Sequence, residues 1–210
     1  FSVNEDSLSG SMAHNYYLYE SGGKLNLIPW DYNLALGGMG GSSDATSVVN
    51  DAIDNAFSGT NFFDTLMEDE TYHSQYYTYL QQLVSEYIDG GGFDAFYERV
   101  RGQINELVET DPTAVDTLYQ VVKLRGQSIQ GQLDGTIPSI EAEQRSSDAL
   151  VDASTLDISV MGSMNTGGGG GGFGFNAPTA SENTSDTPDA AQDTSETQTA
   201  PDGFAEPGNT

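Results

Sequence analysis

The chain has 210 residues and no cysteine, with 32 acidic residues against 6 basic ones, a net charge of −26. Such a surface repels phosphate backbones and anionic lipid, which excludes nucleic acid and anionic membrane as partners and fits divalent cations, basic proteins or simple solubility. The lack of Cys removes disulfides, zinc–thiolate sites and thiol nucleophiles together, and no apolar run approaches the roughly 20 residues of a membrane-spanning helix.

The length predicts one domain of about 150 residues with an appendage. The opening FSVNEDS reads as the interior of something longer. Residues 1–13 carry Asn4, Asp6, Ser7 and Gly10, loop-forming types that lead into the first strand. From Asn15, Tyr16 and Leu18 alternate with Tyr17 and Tyr19, the period of a pleated segment. Glu20-Ser21-Gly22-Gly23 supplies a turn whose glycines take positive φ, and Lys24 to Ile28 returns as the second strand. Pro29 stops the ladder because it has no N–H. Asp31 follows at once, in Trp30-Asp31-Tyr32-Asn33, where a carboxylate between a strand and a glycine loop is placed either to ligate Mg²⁺ or to form a turn. Antiparallel strands bring their ends together, so the Asn15 amide at the start of the hairpin and the Asp31 carboxylate at its end are expected close to one another. Asp6, upstream, is then a candidate base or second ligand, with His14 available to orient its neighbours.

Gly37 to Ser43 lacks the Gly-Lys-Ser/Thr ending of a phosphate loop, and Ala35 and Leu36 break an EF-hand reading of Asp31-Tyr32-Asn33. Asp51, Asp54 and Asn55 are expected in a solvated polar loop, and His73 simply exposed. From Phe62 the apolar period becomes 3.6. Asp69 or Thr71 caps a predicted helix to about Asp89 with Tyr76, Leu80, Leu83, Val84 and Tyr87 on one face, ended by Gly90-Gly91-Gly92. A second helix, about 93–108, is predicted to bury Phe96, Val100, Ile104, Leu107 and Val108. Asp111-Pro112 signals the start of a third, to about Leu133, whose stripe is Val115, Leu118, Tyr119, Val122, Ile129 and Leu133. Gly126 lies on or near that stripe, where a missing side chain allows close packing. Asp134-Gly135 makes a turn, Thr136 to Ser139 is extended, and residues 148–164 suit a short strand or a docked extended segment. From Asn165 the chain turns to six glycines and then a Ser/Thr/Asp/Glu/Pro-rich stretch without Lys or Arg, predicted to be disordered.

The run FSVNEDSLSGSMAHNYYLYE, followed by GKLNLIPWDYNLALGG, closely resembles the spore-coat protein H (CotH) kinase family. The resemblance continues through SVVNDAID, EYIDGGGF, VETDPTA and SIQGQLDGTIPS, and covers residues 1 to about 162. It implies an α+β, atypical protein-kinase-like C-terminal lobe at 1–164, built of a β-hairpin and a helical subdomain, with a low-complexity tail at 165–210. It also implies a Mg²⁺- and ATP-dependent transfer of phosphate to Ser/Thr of spore-coat or cell-surface proteins, placing the protein at the spore coat or outside the cell. By that resemblance Asp31 matches the metal-binding Asp of the kinase DFG element, and Asn15 the catalytic-loop Asn that is a second metal ligand. Asp6 matches the aspartate that accepts the hydroxyl proton or supports the metal site. Three departures stand out. The Asp6-to-Asn15 gap is longer than in H-R-D-x-x-x-x-N; Leu36 stands where family members usually show Phe; and nothing resembles a nucleotide-anchoring N-lobe with its strand lysine, Lys24 lying in the hairpin turn. The fragment alone is therefore expected to be inactive. The alternative reading is a non-catalytic coat or surface assembly protein that keeps the fold for binding.

Overall fold

The computed structural model describes residues 1–10, 12–39, 44–55, 61–107 and 112–162. Everything from residue 163, including the tail expected from 165, the stretch 108–111 with Val108 and Asp111, and the glycine-serine stretch 40–43 lie outside the described residues. What is described is a two-stranded antiparallel hairpin and a set of helices.

The hairpin pairs β1 (Tyr16–Ser21) with β2 (Lys24–Pro29), in the register Tyr16↔Pro29, Leu18↔Leu27 and Ser21↔Lys24. Gly22 (φ 60°) and Gly23 (φ 76°) both take the left-handed conformation that a two-residue hairpin turn requires. The Gly23 N–H donates to Glu20 Oε1 at 2.6 Å.

The first helix, α1 (Ala45–Val49), starts where the Asp44 carboxylate accepts the Ser47 N–H at 2.8 Å. Its five residues are too short to show a helical period, so the sequence gives no sign of it. A short α2 (Asn61–Met67) precedes α3 (Glu70–Gln82), which is capped as expected by Asp69, whose Oδ1 accepts the Thr71 and Tyr72 N–H groups. At its end α3 widens into a π-helical turn, Leu83–Ile88, with the Asp89 N–H on Val84 O five residues back. That extra residue slips the phase of the apolar face by one position. Tyr87, expected inside, is 42% exposed and Ile88 is buried instead.

Helix α4 (Gly92–Leu107) contains Phe96, which is exposed and not buried as expected; it stacks on Phe93 and has the Arg99 guanidinium 5.4 Å from its centroid. Helix α5 (Thr113–Asp134) begins after Pro112, which takes the capping position and not the first helical one. Leu118, predicted in its stripe, is exposed, while Val121, Val122, Arg125, Ser128, Ile129 and Gln132 are buried. Small and polar side chains share that face with the aliphatic ones, which no apolar stripe could reveal. Gly126 lies against Ile88, and a Cβ there would come to 3.0 Å from Ile88 Cγ2, confirming the expected close packing. Gly135 (φ 78°) ends α5, after which come the short α6 (Glu141–Gln144) and an extended segment closing in a 3₁₀ turn, Ile158–Met161.

One apolar cluster joins Leu36, Val48, Val49, Ile88, Val121 and Val122; another joins Ile53, Leu80, Val84 and Ile129. Beside them runs a buried polar network. Arg125, 1% exposed, donates from Nη1 to Val49 O (3.1 Å) and Asp51 O (2.5 Å), and from Nε to Phe1 O (3.3 Å). Burial pulls the Arg125 pKa down and pushes that of Asp51 up, each offset in part by the other's charge. Asn50 accepts from Ser128 Oγ and exchanges a pair of hydrogen bonds with the Val151 backbone, docking the expected extended segment.

Candidate functional site

Three polar stretches meet at the open end of the hairpin. The Trp30 N–H donates to Asn15 O at 3.0 Å, which prolongs the ladder by one step and sets Asp31 one residue beyond that contact. The Leu36 N–H donates to Ser2 O at 2.9 Å, tying the loop after Asp31 to the segment before Asp6. Asp6 itself is buried (8% exposed), unlike an ordinary loop acid.

The Asp6 carboxylate is clasped from two sides. Oδ2 accepts Asn15 Nδ2 at 2.7 Å, and Oδ1 lies 3.2 Å from His14 Nδ1. Asp6 and Asn15 are thus brought into direct contact, with His14 as the orienting neighbour. The Asn15 amide, with its nitrogen on Asp6, leaves Oδ1 as a free oxygen donor. Asp31 reaches the same end of the hairpin through the backbone, and its carboxylate makes no hydrogen bond to any described residue.

This end of the molecule is also where the backbone is strained. Among the described residues the non-glycine positions with positive φ are Val3 (47°), Ala13 (51°), Asn15 (54°), Asp31 (58°) and Leu36 (52°), all in these three stretches. Asn and Asp tolerate that region; a β-branched valine does not, and each such residue costs about 1–3 kcal/mol unless the surroundings enforce it. Asn4, between Val3 and Asp6, accepts the Asp6 N–H on Oδ1, and its Nδ2 is buried without a partner among the described residues. In sequence Asn4 and Val3 carried no signal beyond a polar loop, because neither strain nor an orphaned donor is written in residue type.

An oxygen donor set of Asn15 Oδ1 and the Asp31 carboxylate suits Mg²⁺, which keeps several waters and takes one or two carboxylates beside phosphate oxygens. Among the described residues no three His, Cys, Asp or Glu side chains converge as a protein-only metal cage. A hollow of about 380 Å³ lined by Met67, Glu68, Glu70, His73 and Ser74 includes none of the clustered residues, so concavity and chemistry do not coincide here.

Asp54 is exposed, as expected, but it is bonded to His73, which is half-buried and not simply exposed. His73 Nε2 is 3.0 Å from Asp54 Oδ1, and its ring packs on Tyr77 with centroids 4.5 Å apart. Asp54 also accepts from the hydroxyls of Tyr77 and Ser139. Burial, then the bond to Asp54, pushes the Tyr77 phenol upward. Ser139 binds the Asp and not the His, so this group latches two loops together and has no relay from a nucleophile to a base.

At one strand end a carboxylate is held by an amide and an imidazole, and a second carboxylate, that of Asp31, lies one residue beyond the Trp30–Asn15 contact. The chain belongs to the CotH kinase protein family, which matches residues 1–147. That is an atypical kinase family, associated with the spore coat, and kinase chemistry implies use of ATP. No curated protein and no solved structure matches the chain. No helix among the described residues is long and apolar enough to cross a membrane.

Proposed function

We propose that residues 1–164 are the C-terminal lobe of an atypical Mg²⁺- and ATP-dependent kinase that phosphorylates Ser or Thr of spore-coat or cell-surface proteins. The observation that carries this reading is the Asp6–Asn15 contact at the strand end from which Asp31 emerges. Asn15 Oδ1 and the Asp31 carboxylate would hold Mg²⁺, whose charge, when bound, offsets that of the phosphates. Each carboxylate oxygen has two lone pairs, so Asp6 can accept a further hydrogen bond beyond those from Asn15 and His14. It is suited to take the proton of the attacking hydroxyl as that oxygen bonds to the γ-phosphorus and ADP departs. The clasp fixes the carboxylate's direction before substrate arrives, which removes an entropic cost from the reaction.

No lysine among the described residues bonds to this cluster: Lys24 lies at the hairpin turn, and Lys123 is held by Asp94 and Ile88 O. The cation that anchors the nucleotide is therefore assigned to another lobe of the parent protein, and this lobe by itself is expected to be inactive. The same fact favours the second reading, a non-catalytic coat or surface protein that retains the fold for binding.

Calorimetric titration of Mg²⁺-ATP into the parent protein separates the two. Saturable binding that disappears in Asp31→Asn, a substitution that keeps the shape and tolerates positive φ, supports the kinase. Absence of binding to folded wild type refutes it.

A further inference from the structure

Asn4 is buried (9% exposed) two residues before Asp6, and its bonds run forward along the chain. Its Oδ1 accepts the Asp6 N–H at 3.2 Å, and its main-chain oxygen accepts both the Ser7 N–H (3.2 Å) and the Ser7 hydroxyl (2.6 Å). The loop then folds back. The Gly10 N–H donates to Ser7 O and the Met12 N–H to Glu5 O, and a side chain at Gly10 would run into the Glu5 backbone. That return brings His14 and Asn15 to the Asp6 carboxylate. Asp6 is therefore held twice, at its main chain by Asn4 and at its side chain by the far end of the loop.

The first of these holds is costly. Val3, just before Asn4, takes φ 47°, and Asn4 Nδ2 is buried with no partner among the described residues. With Oδ1 committed to the Asp6 N–H, the planar amide cannot turn Nδ2 toward another acceptor without giving up that bond. Its orientation thus serves Asp6 and leaves its own donor unmatched. We infer that Asn4 is a positioning residue for Asp6. By fixing the Asp6 main chain it sets the carboxylate against Asn15 Nδ2, and that contact in turn leaves Asn15 Oδ1 directed away from Asp6. The inference deepens the kinase reading and rests on it for the role of Asp6 as proton acceptor; the coupling from Asn4 through Asp6 to Asn15 does not depend on phosphoryl transfer.

The test reads the Asn15 side-chain amide by NMR in the chain and phosphate transfer in the parent protein. Asn4→Ala should move the Asn15 Nδ2 resonances toward those of a free amide and speed their hydrogen exchange about tenfold, the equivalent of one net hydrogen bond. Asn4→Ser keeps an acceptor for the Asp6 N–H and removes the unmatched nitrogen, so it should leave both near wild type. Asn4→Leu keeps the shape without the acceptor and takes the place of Asn4→Ala if circular dichroism shows that the alanine variant does not fold. Gly126→Ala, which crowds Ile88, is the control for lost stability and should leave the Asn15 signals unshifted. In the parent, Asn4→Ala should lower kcat about tenfold or more with a smaller rise in the KM for Mg²⁺-ATP, because Asp6 acts on the hydroxyl. An unmoved Asn15 amide in Asn4→Ala, an equal shift in Gly126→Ala, or an Asn4→Ser variant as altered as Asn4→Ala would overturn the inference. Asn15 signals that behave as expected in the chain, beside a parent without kinase activity, would uphold the Asn4 hold on Asp6 and refute phosphoryl transfer instead.

Discussion

In the helical body a charged side chain is buried and hydrogen-bonded; in the hairpin the apolar side chains are largely exposed. Arg125 has three carbonyl partners from two stretches of chain, while Leu18 and Leu25 are largely exposed. The body is thus packed around its buried polar network, whereas the hairpin keeps most of its apolar side chains exposed. The site residues lie on the second kind of structure but are anchored to the first, through Arg125 on Phe1 O and Leu36 in the larger apolar cluster.

The sharpest way to break that contrast is at Arg125. Arg125→Met removes the charge at similar length but strands the carbonyls of Phe1, Val49 and Asp51, and we expect a loss of about 3–5 kcal/mol in urea denaturation. Gly126→Ala is next: the new methyl meets Ile88 Cγ2 at 3.0 Å, and an overpacking cost of about 1–3 kcal/mol exceeds the helix-propensity gain of about 1 kcal/mol. A net destabilisation near 1 kcal/mol should appear as a lower urea midpoint with unchanged slope. Leu27→Ser, on the hairpin, should change stability by less than about 0.5 kcal/mol, because little burial is lost; a drop comparable to a core substitution would show that the hairpin is already covered in solution.

The smallest effect is at the end of α5. Bonds from the Thr136 hydroxyl and then its N–H hold the exposed Asp134 carboxyl below the usual carboxylate range. That stabilisation is present above the unfolded-state pKa of about 4 and is lost as pH falls through the lower folded-state value. Asp134→Ala should therefore lower the thermal midpoint slightly at pH 7, with the two curves converging in stronger acid.

Where a residue's role depends on its own chemistry or a strict period, the sequence was enough. The hairpin with its glycine turn, the Asp69 cap and the Gly126 approach all follow from that kind of reasoning, whereas Asn15, expected beside Asp31, bonds to Asp6. Where the role depends on tertiary context, it was hidden. The π turn at 83–88 cannot be seen in a 3.6 period, so Tyr87 and Ile88 exchanged places. Arg125 has the residue type of a surface and the environment of a core. His73 looked idle until the fold brought Asp54 beside it.

The central claim is that Asp6, Asn15 and Asp31 form one cation-handling end of the hairpin, and Mn²⁺ titration observed by amide NMR tests it most directly. Paramagnetic broadening should begin at the amides around Asn15 and Asp31 at low Mn²⁺ and vanish from them in Asp31→Asn while the rest of the spectrum is unchanged. Broadening spread evenly over the acidic helices, or persisting at Asn15 in the variant, would contradict it.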